Sequence, residues 1–309
     1  MTFPTYFNPK KSSNLFGEFK NFKFLKDLYF KNKLPQALML SGKKGSGKFT
    51  LITHLMSCIY DEEKYDLNKQ ELNTETIFYN QFINNIFPNI IYVSGSDYNN
   101  IKIEDIRNLK TKIFQSSISN KPRFIIFDDV ELFNKNSSNA LLKIIEEPTK
   151  NNFFLLINNK SKPIIETIKS RCIDVKIILS EKDRLVIIES LIKKFKIKSV
   201  IDPKNRQLTP GYYLIFNYIC EVNKISLDDD YIKNLSLILN LYKKNKEVMY
   251  IHMILFLTNY YFNNLKNNNL LSNEKIIEYK SFVFENINKF FLYNLNQNAL
   301  LNSINSKIK

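Results

Sequence analysis

At 309 residues with 44% apolar side chains, the chain can bury real cores in two or three domains, which excludes wholesale disorder. No apolar run approaches the ~18 residues of a membrane span, and Met1-Thr-Phe-Pro4 lacks a signal-peptide pattern, so a cytoplasmic protein without membrane partners is expected. The formal charge of +15 favours phosphate backbones in general, but Lys, Asn and Ile are spread along the whole chain rather than focused into a recognition motif.

In chain order, Ala37–Leu40 reads as a buried strand, followed by Gly42-Lys-Lys-Gly-Ser-Gly-Lys48 and a helix over Lys48–Tyr60. The stretch Lys64–Asn85 is polar and weakly patterned and reads as a surface insertion. Strands are then expected at Ile90–Val93, Phe124–Phe127, Phe153–Ile157 and Val175–Leu179, with helices at Ile103–Phe114 and Asn136–Glu147 between them. Strands alternating with helices imply a parallel sheet with right-handed crossovers. Ser180-Glu-Lys-Asp183 looks like a capped helix start, and Leu185, Ile188, Leu191 and Ile192 continue it as an apolar stripe. Thr209-Pro-Gly211 punctuates a helix over Tyr212–Cys220, and from about Ser226 only helical patterns remain, broken at Lys266–Asn269 and Ser272–Glu274. The expected organisation is an α/β domain over 1–179, a small helical lid over 180–222 and an all-helical domain over 223–309.

Gly42–Lys48 matches the phosphate-loop pattern G-x-x-x-x-G-K, in which backbone N–H groups cradle phosphates and the lysine reaches the terminal ones. Gly42, Gly45, Ser46, Gly47, Lys48 and Thr50 are the candidate nucleotide contacts. The next position should carry the hydroxyl that holds Mg²⁺, but it is Phe49. Thr50 is a poor substitute, because one further residue on a helix is a turn of about 100°. About 80 residues on, Phe124-Ile-Ile-Phe-Asp128-Asp129 is a hydrophobic strand ending in acids, the Walker B arrangement. There Asp128 would serve the metal shell. Asp129 stands where a longer glutamate normally polarises water. Cys58, Cys172 and Cys220 are far apart and fit neither a disulfide framework nor zinc spacing, so they read as small buried residues. His54 and His252 are isolated, and no metal centre is expected.

Asn139-Ala-Leu-Leu-Lys-Ile-Ile-Glu-Glu-Pro148, Phe153–Asn159 and Ser170-Arg171-Cys172 follow in order, with Leu34–Ala37 and Ile101–Arg107 upstream. In these motifs the chain resembles the AAA+ clamp-loader subunits of bacterial DNA polymerase III over roughly residues 15–220. The resemblance implies a P-loop AAA+ domain, a lid and a C-terminal collar used for oligomerisation. It also implies a hetero-oligomer that uses ATP to load a sliding clamp on primed DNA. Against the catalytic gamma/tau type, this chain has Phe49, Asp129, no cysteines between Cys58 and Cys172, and no long extension. Asn158 and Asn159 occupy the sensor 1 position, where a threonine is usual. These departures point to the largely non-hydrolysing delta-prime type, partnered by gamma/tau and delta subunits. ATP or ADP with Mg²⁺ would then be held weakly or without hydrolysis, and zinc not at all. Arg171 would be a trans arginine finger, directed at nucleotide in a neighbouring subunit; its alternative is a local pairing with an acid such as Asp174. Two further readings stand beside this one: an active gamma/tau-type ATPase, and a DNA-binding module acting outside any clamp loader, supported by charge alone.

Overall fold

The computed structural model describes residues 4–95, 121–147 and 151–308. The expected helix at 103–114, the motif at 101–107 and Pro148 lie outside the described residues. Among the described residues, five strands form one all-parallel sheet: β1 (Ala37–Ser41), β2 (Ile90–Ser94), β3 (Arg123–Asp128), β4 (Asn152–Asn158) and β5 (Ile173–Lys176). Their order across the sheet is β2-β3-β4-β1-β5. The chain thus leaves β1 for the far edge, steps back to β4, and places β5 on β1's other side. Such a reversal opens a crevice at the carboxyl ends of the strands, where α/β proteins place ligands.

Side-chain alternation divides the core into two layers, one on each face of the sheet. Leu38, Leu40, Phe124, Ile126, Leu155 and Ile157 face α1 (Phe19–Phe30), α2 (Lys48–Tyr60) and α3 (Ile77–Ile83). Met39, Ile125, Phe127, Phe154 and Leu156 face α4 (Lys135–Glu146) and α5 (Glu166–Lys169). Burial on both faces explains why β3 and β4 are continuous apolar runs. On α2 every residue except Thr50 is buried, among them Cys58. His54 is satisfied there, its Nδ1 2.9 Å from the Tyr65 hydroxyl and its Nε2 3.2 Å from the Ser12 carbonyl.

Two expectations are corrected. The stretch 64–85 is not a surface insertion, because Tyr65, Leu72, Phe78, Tyr79 and Phe82 are buried in the core layer under α2. Thr76 caps α3 by accepting the Tyr79 N–H, and the aromatic residues face inward from a helix too short for a clear periodicity. β5 begins earlier than expected, pairing Ile173 with Leu38 and Lys176 with Ser41. It is an edge strand with exposed and half-buried residues, so it lacks the apolar run that marks the central strands.

Beyond the sheet, α6 (Glu181–Phe195) is capped by Ser180, whose hydroxyl accepts the Asp183 N–H. Ile187 and Leu191 of α6 pack with Leu214 of α7 (Pro210–Val222). By its internal contacts the chain divides within α7. One compact unit runs to Ile197 and takes in Leu208–Leu214; the other comprises Lys198–Gln207 and the chain from Ile215. This second unit is helical. It contains α8 (Tyr231–Asn245), α9 (Val248–Asn267), α10 (Asn273–Tyr293) and α11 (Gln297–Ile308), each packed on the next, with α11 returning to α8. Leu235, Ile238, Met253, Val283 and Ile304 are buried within it, and the Tyr231 hydroxyl lies 2.8 Å from that of Thr258. Among the described residues, no helix is long and apolar enough to cross a membrane.

Candidate functional site

Gly42–Gly47 connects β1 to α2 at the carboxyl end of the sheet, the position the motif requires. Lys48 is 3% exposed and its ammonium donates to the carbonyls of Gly42 and Lys43, both at 2.8 Å. Burial draws its pKa down to about 8 despite the opposing pull of Asp128, Glu131 and Asp129. Phe49 is 8% exposed and belongs to the core layer. Its ring meets that of Tyr92 edge-on, with centroids 5.4 Å apart, and the Lys10 ammonium lies 3.8 Å from the Tyr92 ring centre. An apolar ring packed into the core thus occupies the place of the metal-binding hydroxyl. Thr50, the one residue of α2 that is only half-buried, lies a third of a turn away.

The start of α7 closes on the loop. The Gly211 N–H donates to the Gly45 carbonyl at 2.9 Å, and the Thr209 hydroxyl donates to the Lys44 carbonyl at 2.7 Å. Glycine is required on both sides of this contact. A Cβ on Gly211 would lie 2.8 Å from the Gly45 Cα, and one on Gly45, whose φ is +79°, would lie 2.5 Å from the Thr209 hydroxyl oxygen. Glu18, also unanticipated, is 3% exposed, and burial raises its carboxyl pKa. It lies beside Gly47, where a Cβ would be 3.8 Å from its Cγ.

The Walker B acids are engaged by the chain's own groups. Asp129 sits in the left-handed region (φ 49°, ψ 43°), 3% exposed. Its carboxylate accepts from Lys44 Nζ at 3.1 Å through both oxygens and from Asn159 Nδ2 at 2.7 Å. Asp128 accepts the Asp129 N–H at 2.8 Å and the Tyr92 hydroxyl at 3.3 Å. Burial, then the charge of Asp129, raises the Asp128 pKa to about 6. With the hydroxyl missing and Asp129 tied to Lys44 and Asn159, these residues do not fit a catalytic Mg²⁺ shell. Among the described residues, no other group of His, Cys, Asp and Glu side chains converges as a metal-ligand set.

Of the two sensor 1 candidates, only Asn159 reaches the acids. The Asn158 side chain accepts the Lys160 N–H at 2.8 Å, while its backbone carbonyl accepts the Gly42 N–H at 3.1 Å and so ties β4 to the loop. Glu131, unremarked in the sequence, is 6% exposed and organises the segment after β4. It accepts the Asn159 N–H at 3.1 Å and the Ser161 hydroxyl at 2.8 Å.

Arg171 lies elsewhere, two residues before β5. β5 pairs in parallel with β1, Ile173 beside Leu38 and Lys176 beside Ser41, and Arg171 sits in the turn that enters β5 at its Ile173 end. The phosphate loop follows the Ser41 end of β1. From the Leu38 level of Ile173 to Gly42, four residues of extended chain at about 3.3 Å each span roughly 13 Å, beyond an arginine's reach from the turn before β5. The Arg171 guanidinium pairs with Glu146 rather than with Asp174, Nε to Oε1 at 2.5 Å, and donates to the Thr167 carbonyl at 3.1 Å. Both side chains of the pair remain about two-fifths exposed.

The family profile described as DNA polymerase III, delta subunit, matches residues 17–180, more than half of the chain. DNA polymerase III subunit gamma of Buchnera aphidicola subsp. Schizaphis graminum is 27% identical over 190 residues, 60% of this chain and 50% of that protein. DNA polymerase III subunit delta' of Buchnera aphidicola subsp. Baizongia pistaciae is 28% identical over 152 residues, 47% of this chain and 44% of that protein. The chain spans about half the length of these curated relatives. A solved gamma subunit-related protein from Thermotoga maritima aligns over 92% of this chain and 96% of its own, with a TM-score of 0.47 and 16% identity. The chain belongs to the DNA polymerase III delta subunit family, within the clamp-loader group that its motifs resemble.

Proposed function

We propose that this chain is a delta-prime-type clamp-loader subunit that hydrolyses no nucleotide itself and completes the nucleotide site of a neighbouring subunit through Arg171. The observation that carries the reading is the position of Arg171 in the turn before β5, at the end of that strand away from the chain's own loop. A guanidinium so placed cannot serve the loop of its own subunit. It is exposed enough to serve another, where an arginine stabilises the charge of a transferring phosphoryl group. Phe49 and the tethered Asp129 support the other half of the reading, a loop that at most holds ATP or ADP passively. The partners are then gamma/tau and delta subunits, with the sliding clamp and primed DNA reached through the complex. In a complex reconstituted with those subunits, Arg171→Ala should lower the ATPase rate at least tenfold, since a trans arginine contributes about 10³–10⁵ where it acts alone. An unchanged rate would overturn the assignment.

The relatives named gamma favour a second reading, an intrinsically active ATPase. That reading requires the purified chain to hydrolyse ATP with Mg²⁺ and to lose the activity in Lys48→Ala. The expected result is no hydrolysis in either protein.

A further inference from the structure

We propose that Glu146 is the keeper of Arg171, holding the guanidinium on its own subunit's surface until a neighbour's polyphosphate displaces the carboxylate. This rests on the trans role of Arg171 proposed above. Glu146 is the last residue of α4, and Arg171 follows α5, so two separate helix ends bring the pair together. The carboxylate takes the Nε–H edge, while Nη1 is held by the Thr167 carbonyl at 3.1 Å and the Ser170 hydroxyl at 3.4 Å. The guanidinium is therefore drawn back against its own subunit. To extend toward a triphosphate on a neighbour the side chain must swing away from the end of α4, and so release Glu146.

The environment makes that exchange easy. The pair is 39% and 43% exposed, and an ion pair in water of this kind biases an equilibrium by no more than about fivefold. A polyphosphate carries several charges and can take the planar fork of arginine through two parallel hydrogen bonds, so it displaces a single carboxylate. The pair is strong enough to set the resting position and weak enough to be released when a loaded neighbour closes in. Glu146 is on this account a positioning residue that acts solely through Arg171.

The test uses the reconstituted complex, its ATPase measured without clamp or DNA. Glu146→Gln keeps the shape and removes the charge, and should raise this unstimulated rate about threefold. In the double variant with Arg171→Ala the rate should equal that of Arg171→Ala alone. Glu146→Asp, which retains the charge on a shorter arm, should give an intermediate rate. Thermal melting and co-elution of each complex verify that assembly is intact; failure of Glu146→Gln to assemble would overturn the proposal by making the residue structural. A rate unchanged by Glu146→Gln while Arg171→Ala slows the complex would overturn the keeper and leave the arginine finger standing. If Arg171→Ala has no effect, the trans role itself fails. Any Glu146→Gln effect that persists in the Arg171→Ala background would show that Glu146 acts on something else.

Discussion

The phosphate loop and the Arg171 surface carry the same kinds of charged side chain under opposite conditions. Around the loop, Lys48 and Asp129 are each 3% exposed and the Lys48 ammonium donates to the loop's own carbonyls; Phe49 is built into the core. At the other end of β1, Arg171 is 39% exposed and its acid partner lies on a different helix. Desolvated groups with internal partners are held by the full cost of leaving them unpaired. An exposed pair is held loosely and can change partner at little cost. The first region is held as structure, and the second is free to make the contact with a neighbour proposed for it.

Restoring the lost hydroxyl is the harshest way to break this comparison. Phe49→Ser removes a buried ring from contact with Tyr92 and should cost about 3–5 kcal/mol. It should bring no Mg²⁺-dependent ATPase, because Asp129 remains tied to Lys44 and Asn159. Denaturant titration and a phosphate-release assay on the same preparation would decide it; a stable variant that hydrolyses ATP would show the loop to be a working site one residue short.

The second effect is pH-dependent. The Asp128 pKa is raised to about 6 from an ordinary 3.8, so the folded chain binds its proton more tightly than the unfolded chain does. The stability this supplies is complete below about 3.8 and is lost as pH rises through about 6, leaving ionised Asp128 a net cost at neutrality. Asp128→Asn should therefore raise stability at pH 7 by about 1–3 kcal/mol and change it little at pH 4. A variant that is less stable at pH 7 would mean that the carboxylate is required there, as a metal site would require it.

Much of this contrast was legible in the sequence because its signals are local. The loop glycines and the apolar run behind them mark α2 at Lys48–Tyr60, and the two-sided burial of β3 and β4 leaves unbroken apolar strings. Phe49 announces the missing hydroxyl on its own. What escaped was tertiary. Thr209 touches the loop from 165 residues away and Gly211 reaches it beside Thr209, and nothing about Thr-Pro-Gly indicates that partner. Asp174 is nearer than Glu146 to Arg171 in sequence, but alternation along β5 and the end of α4 decide which acid reaches the guanidinium. Lys64–Asn85 misled because a seven-residue helix buries Phe78, Tyr79 and Phe82 within a stretch otherwise rich in Asn, Glu and Lys.

The contact between α7 and the loop permits a smaller test. Thr209→Val keeps the shape of the side chain and deletes its hydrogen bond to the Lys44 carbonyl, which should cost about 1 kcal/mol. A domain of this size would then melt about 2–4 °C lower. No shift would mean that the Gly211–Gly45 backbone bond alone holds α7 on the loop.

The smallest expected effect is the one that separates the two regions most cleanly. Arg171→Ala in the isolated chain removes an exposed ion pair and a bond to the Thr167 carbonyl, and should change its stability by no more than about 0.5 kcal/mol. The same substitution is expected to slow the complex at least tenfold, so its cost should arise only where a neighbour is present. Calorimetry of the free chain set against the ATPase of the complex measures both quantities on one variant. A loss of stability approaching that of Phe49→Ser would make Arg171 part of the scaffold joining α4 to β5. A near-zero loss together with a slow complex leaves the side chain no role within its own fold, and places its function across the subunit boundary.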